Sequence, residues 1–487
     1  MSGYTERSRW IALYVLCAGM LMIVLDVTVV NVALPSIQQQ LGFSSASLAW
    51  VVNAYLVSFG GLLLLAGRLG DLLGRRRVFL AGVSLFTLSS LACGLAGSQT
   101  LLVLARFAQG VGGAMTSAVI LGMIVTMFPE PREQARAIGV YAFVASAGGS
   151  VGLLAGGLLT QSLDWHWIFF VNVPVGALTL ALSRRLLARD AGLGLGAGAD
   201  VAGAVLITAA LMLGVYTIVG PAAESGWAAT RTLAFAAAAL ALLGAFLARE
   251  ASARQPLVPL RIFRVPAVAV ANLVQVLSVA GMFGMFFLGA LYLRRVLGYH
   301  ALQIGLAFLP VTLSMGLLSI RYSERLLTRF GVRACLLAGL VLVMAGLVAF
   351  AGVPVHARYT TQVLPAMLLI GLGAGVCFPA LMGLAMSGAA PHEAGLASGL
   401  VNTTAQVGGA LGLAVLATVS ASHARALSAR GHGIDAALTG GYHLAFWIAA
   451  ALVAVALAVA ARAPQREHQP APAGARNEPA EADAPAR

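Results

Sequence analysis

The run WIALYVLCAGMLMIVLDVTVVNVA, residues 10–33, holds a single charged residue, Asp26, among apolar and small side chains. As an α-helix rising 1.5 Å per residue it reaches about 36 Å. The hydrocarbon core of a bilayer is roughly 30 Å thick. A helix satisfies its own backbone groups, so such a run can sit in lipid. Arg7 and Arg9 stand just before it, as in a signal peptide. The run is too long for one, contains an acid and lacks a convincing small-residue cleavage site, so it reads as a retained first helix.

Working outward, thirteen more apolar segments follow, at about 48–67, 78–97, 101–123, 136–160, 166–187, 200–219, 232–249, 267–292, 301–320, 334–353, 362–387, 396–420 and 441–461. The predicted class is an all-α polytopic membrane protein with fourteen transmembrane helices. Omitting the seventh and eighth would leave twelve, with the same orientation at both ends. Composition points the same way. Of 487 residues, 60% are hydrophobic and only 10% are charged, against about 25% charged in soluble proteins. Too few charges remain to cover a globular surface in water. That excludes a soluble enzyme, a disordered chain and a collagen-like fibre.

The formal charge is +13, and all thirty basic residues are arginine. They lie in short clusters between apolar runs rather than in one patch, which fits anchoring to a lipid bilayer and not nucleic-acid binding. With the N-terminus in the cytoplasm, 23 arginines fall in inner segments and six in outer loops. Only Arg106 lies well inside an apolar segment. A bias that alternates loop by loop places both termini in the cytoplasm of a cell's inner membrane. Cys17, Cys93, Cys335 and Cys377 sit singly in apolar runs, with neither disulfide nor zinc spacing. No histidine forms HExxH, so no metal site is expected. The stretch AGLGLGAGAD (191–200) follows no strand and reads as a flexible link. No P-loop is present, so ATP does not power the protein directly. The tail from about Arg462 is rich in proline, alanine and charge and is expected to be disordered.

A weak internal repeat is visible. GRLGDLLGRRRVFL (67–80) follows the second segment, and RYSERLLTRFGVRACL (321–336) follows the tenth. Each puts an acid, arginines and a glycine where the chain turns back into the membrane. The offset of eight segments fits a six-helix repeat with two helices inserted between the halves. The domains expected are a six-helix bundle over 1–190, a linker with two helices over 191–265, a second six-helix bundle over 266–461 and a tail over 462–487.

Among seventeen acids, only Asp26 is well inside a segment. A charge left in hydrocarbon costs about 2.5–3.5 kcal/mol or more, so Asp26 and Arg106 must face a cavity or a partner. Asp26 lies roughly 10 Å from the outer end of its helix and Arg106 roughly 8 Å from the start of its own. Similar depths allow them to pair. A carboxyl so placed can exchange a proton, with the arginine tuning it, or can form a static salt bridge. Proton coupling is energetically adequate: one charge moved across 100 mV is worth about 2.3 kcal/mol, roughly a 50-fold concentration ratio.

Several motifs occur in order: LDVTVVNVALP (25–35), GRLGDLLGRRR (67–77), RFAQGVGGA (106–114), GLLAGG (152–157), WHWIFFVNVPVG (165–176) and GLASGLVNTTAQVGGALG (395–412). Together these resemble the major facilitator superfamily, specifically its fourteen-helix drug:proton antiporters of the EmrB/QacA type. The resemblance implies the major facilitator fold and a proton-coupled exporter of lipophilic small molecules that works by alternating access. It needs no cofactor beyond a proton gradient. It associates Asp26 with proton coupling and Arg106 with proton transfer. It makes Gly67, Asp71, Gly74, Arg75 and Arg76 a latch between bundles at the cytoplasmic face. Gly148, Gly152, Gly156 and Gly157 are the antiporter signature, expected on one closely packed face.

Three positions depart from the family pattern. Leu153 replaces a proline, His166 replaces the arginine of WRW, and Ala405 replaces an arginine. The last removes a membrane-level charge, which favours neutral, weakly acidic or singly charged substrates. Family architecture places the ninth helix at the cavity, with Met282, Phe283, Met285 and Phe286 as an adaptable wall and Gln275 as a polar handle. Asn31, Asn53, Tyr55, Gln109, Asn402 and Gln406 are further polar candidates for substrate binding. In a Gram-negative host, a periplasmic adaptor and an outer-membrane channel would be partners. The alternatives are a dedicated exporter of one biosynthetic product, an uptake permease, and a non-transporting sensor. No constellation supports an enzyme.

Overall fold

The structure, a computed structural model, describes residues 6–44, 46–188, 190, 192, 194, 200–253, 256–387 and 394–462. Most of the 191–200 link and nearly all of the tail lie outside the described residues. The main helices are α1 (Glu6–Leu41), α2 (Trp50–Leu73), α3 (Arg75–Gly94), α4 (Gln99–Met127), α5 (Pro131–Ser162), α6 (Asn172–Leu186) and α7 (Val201–Thr217). They continue with α8 (Thr230–Ser252), α9 (Pro266–Arg295), α10 (Ala301–Leu317), α11 (Val332–Ala351), α12 (Leu364–Ser387), α13 (Ala394–Ala429) and α14 (Ile434–Ala461). Among the described residues, twelve helical spans are long and apolar enough to cross a bilayer. Two shorter apolar stretches, Val151–Ser162 and Ala301–Leu317, fill the fifth and tenth places. The described residues therefore hold fourteen such helical places, and the chain is a multi-pass membrane protein. Both ends of the described chain lie on one face, called here the termini face.

Helix ends and apolar segments coincide only in part. Hydropathy marks the portion that sits in lipid, whereas a helix runs until its caps. Thus α13 continues to Ala429 through ASHARALSA, past the apolar limit at residue 420. Ser98 caps α4 by accepting from the Leu101 N–H. Proline opens α5 and α9, where a missing N–H costs nothing. The sixth crossing is broken. A short helix, Trp167–Phe170, precedes α6, and Pro174 cannot donate to the carbonyl four residues back.

The repeat seen in sequence is structural. Gly74 ends α2 with φ 97° and caps α3. Gly331 has φ 79° and caps α11 in the same way. Positive φ at both positions favours glycine. The register continues: Gly82 on α3 packs against the Thr116 backbone of α4, and Gly339 on α11 packs against the Gly373 carbonyl of α12. Both pairs are 257 residues apart (331 minus 74, and 339 minus 82). A Cβ at either helix contact would press on backbone, so these pairs pack through glycine as membrane helices often do.

In the first half α1 packs on α5, and α4 packs on α2 and α3. In the second half α9 packs on α13 and α14, and α11 packs on α12 and α14. The halves meet through α5 with α10, α2 with α13, and α1 with α9. Helices α7 and α8 pack on each other, and α7 reaches α2 and α13. There Gly61 of α2 makes room for the Thr208 hydroxyl.

Candidate functional site

Asp26 on α1 and Arg106 on α4 form an ion pair, and each is 1% exposed. Gln109 stands one turn from Arg106 on the same face of α4. Its amide donates to Asp26 Oδ1 at 2.7 Å, and its carbonyl accepts from Arg106 Nη1 at 2.8 Å. Arg106 also donates through Nε to the Val51 carbonyl at 2.9 Å. Its guanidinium carbon lies 4.5 Å from the ring centre of Tyr55 and 5.8 Å from that of Phe169. The acid is thus held by two donors, and the cation by an acid, two carbonyl oxygens and two aromatic faces. Such a pair is electrically neutral as a unit. Leaving either member alone would strand a buried charge.

A cavity of about 870 Å³ lies beside this cluster. Met20, Ile23, Val24, Val27 and Thr28 of α1 line it, with Phe59 and Leu63 of α2. Asp26 does not line it, although Ile23 and Val27 on the same helix do. The cavity runs to the termini face, where Arg68, Asp71 and Arg75 form part of its wall. Across from them stand Gly399, Asn402 and Gln406 of α13. At the opposite face the halves are in contact. Gln38 accepts from Arg295, and Gln161 accepts from the Leu302 N–H at 3.2 Å.

The glycines of α5 divide between two partners. Gly148, Gly152 and Gly156 face α1, at Val24, Thr28 and Val29. Gly157 does not share that face. One residue further on, about 100° around the helix, it meets the backbone of Ala301 and Leu302 on α10. Leu153 lies on this second face, with its carbonyl against Gly305 of α10. The expectation of one four-glycine face is corrected by helical geometry to three glycines on α1 and one at the seam between the halves. Gly305→Val should therefore hold that seam apart. Cysteine labelling near Gln161 should rise several-fold and transport should fall; unchanged labelling would contradict a closed seam there.

The loop after α2 is tied within its own half. Asp71 pairs with Arg75 at 3.2 Å. Arg75 donates to the Gly122 carbonyl at 2.8 Å and to Thr126 at 3.0 Å. Arg76 donates to the Arg184 carbonyl at 2.6 Å. Asp190 accepts from the backbone N–H of Arg75 at 2.5 Å and of Arg76 at 3.2 Å, capping α3. Asp190 was not singled out in the sequence, because nothing in RDAGLG marks it as a cap for a helix 115 residues away. Gly67 lines the cavity.

Of the other candidates, Asn402 and Gln406 line the cavity. Gln109 belongs to the ion-pair cluster, and Tyr55 offers its ring to Arg106. Asn31 donates to the Val27 carbonyl at 3.1 Å. Asn53 is fully buried and its amide has no partner. Gln275 and Met282 are buried in α9, and the Phe286 ring lies 5.4 Å from that of Phe308. None of these last four is in the cavity wall. His166 pairs with Asp164 at 2.8 Å and stacks on Trp165.

Two repeated helical halves, a cavity reaching one face and a contact seam at the other define a membrane transporter. The sequence model of the Major Facilitator Superfamily matches residues 16–413, and the chain belongs to that superfamily. The family is one of transporters and not of enzymes. The chain is 41% identical to the puromycin resistance protein pur8 of Streptomyces alboniger, over 89% of this chain and 86% of that one. It is 40% identical to the cephamycin export protein CmcT of Amycolatopsis lactamdurans, over 84% and 85%. A bacterial homologue of the human lysosomal transporter Spinster, in an inward-facing conformation, shares the fold with a TM-score of 0.66 at 16% identity, over 94% of this chain and 97% of that one.

Proposed function

We propose that the chain is a proton-coupled exporter of lipophilic small molecules, antibiotics among them. One observation carries the coupling: a fully buried carboxyl, Asp26, held by Arg106 and Gln109 one residue from the cavity wall. The relatives carry the cargo class, since they are named for antibiotic resistance and export. The arginine bias of 23 to six supports a cytoplasmic position for the termini face. In this reading the cavity opens inward and Asp26 is ionised while it pairs with Arg106. The cavity's size suits a drug-sized molecule.

In this cycle cargo enters from the cytoplasmic side while Asp26 is paired with Arg106. The halves 1–190 and 266–461 rock about the cavity, with 191–265 as the linker, and the α5–α10 seam opens. Asp26 takes a proton from outside and releases its hold on Arg106, and cargo leaves. The neutral carboxyl lets the protein return, and loss of the proton inside resets the pair. No covalent chemistry is needed.

The cephamycin export relative keeps a second reading in play, that of an exporter dedicated to one product. Both readings meet the same test. Inverted vesicles carrying the protein are given puromycin, lincomycin, a cephamycin and tetracenomycin C, with and without a protonophore. Uptake of at least one that collapses with the protonophore is expected. Uptake of one alone selects the dedicated exporter, and uptake that ignores the protonophore contradicts proton coupling.

A further inference from the structure

Asp200 and Glu250 stand apart from the machinery described so far. Asp200 caps α7: its Oδ1 accepts from the Gly203 N–H at 2.9 Å and from Arg249 Nε at 2.6 Å. Glu250, in the last turn of α8, accepts through Oε2 from the Val258 N–H at 2.9 Å. It thereby ties the connection before α9 back onto α8. The two residues are 4% and 3% exposed. The remaining oxygens, Asp200 Oδ2 and Glu250 Oε1, are buried and have no hydrogen-bond partner.

These two oxygens approach one point. A Cβ on Gly203 would lie 2.7 Å from Asp200 Oδ2 and 2.9 Å from Glu250 Oε1. The glycine keeps that space open. Asp200 also lines the cavity, beside Pro256 and Leu257, the neighbours of the residue Glu250 holds. Arg249 from α8 is the cation facing the pair, and its side chain is 45% exposed. Across the cavity, α2 and α3 present Arg68, Asp71 and Arg75, of which the last two pair with each other. Among the described residues, one guanidinium therefore serves two buried carboxyls. Two carboxylate oxygens that face the same small space repel each other when both are charged. A single proton removes the excess charge and supplies the missing donor.

We propose that Glu250, facing Asp200 across the space that Gly203 leaves open, holds one proton in this conformation and is a second protonation site, at the mouth of the cavity and separate from Asp26. This deepens the export reading and rests on it only for what the proton does, not for where it sits. Loss of the proton sets two anions against each other and loosens the hold of Glu250 on Val258. The proton is thus linked to the segment 256–258 that borders the cavity mouth.

Infrared spectroscopy of the purified full chain tests this without transport. In Asp26→Asn, a protonated-carboxyl band at neutral pH is expected, disappearing as the pH is raised. Adding Glu250→Gln should remove it. Asp200→Asn, which keeps an acceptor for the Gly203 N–H, should remove it too and serves if the first variant does not fold. No such band in Asp26→Asn, or a band unchanged by the second substitution, overturns the proposal. In the former case a water or cation between the oxygens takes the proton's place. Failure of proton-driven export would count against the export reading and leave this band unaffected.

Discussion

Asp26→Asn is expected to abolish uphill transport while leaving the fold intact. Asparagine has nearly the same shape and keeps one oxygen to accept from Arg106, while its NH2 replaces the oxygen that accepts from Gln109. It cannot take up or release a proton. An imposed difference of one pH unit supplies about 1.4 kcal/mol per coupled proton, close to a tenfold cargo gradient. In proteoliposomes the wild type should approach that ratio or its square, and the variant should fall to about one. Exchange of labelled for unlabelled cargo at equal pH should persist, because the cavity wall is untouched. A variant that still accumulates cargo against its gradient would falsify the role assigned to Asp26.

The second large effect concerns stability. Arg106→Met should lower unfolding stability by about 3–5 kcal/mol, because it leaves Asp26 buried and unpaired. Asp26→Asn should also destabilise, by stranding the guanidinium. The double variant should be more stable than Arg106→Met alone, since no unpaired charge remains. The coupling of a contacting charged pair is commonly 0.5–3 kcal/mol. Thermal unfolding in detergent across the four proteins measures it. The double variant regains stability and not transport, which separates the structural role of the pair from its proton chemistry. Strictly additive losses would show that the two groups do not act as a unit.

Much of this arrangement was legible in the sequence. Fourteen crossings follow from apolar runs whose length a bilayer dictates. The match in depth between Asp26 and Arg106 anticipated their contact, because the cost of a lone charge in lipid leaves few alternatives. The repeat around Gly74 and Gly331 was visible because a sharp reversal needs glycine. Other features were hidden for equally physical reasons. Gln109 read as a substrate candidate, since an amide on a helix does not announce whether it faces cargo or a neighbouring carboxylate. Gly157 read with its neighbours as one stripe, although a single step around the helix turns it to α10. Asp190 and the Asp200–Glu250 pair lie at chain reversals, where partners are far apart in sequence and no periodicity links them.

The central claim is that cargo loads only while the Asp26 carboxyl is ionised, so that cargo and the proton compete for the cavity-open protein. Proton release on cargo binding tests it most directly, using purified protein in a lightly buffered solution with a pH indicator. The cargo is whichever of the four antibiotics the vesicle assay identifies. The account predicts that, in a solution acid enough for Asp26 to start protonated, cargo binding makes the wild type release about one proton per chain more than Asp26→Asn. Equal release from the two proteins, with cargo bound to both, would contradict it.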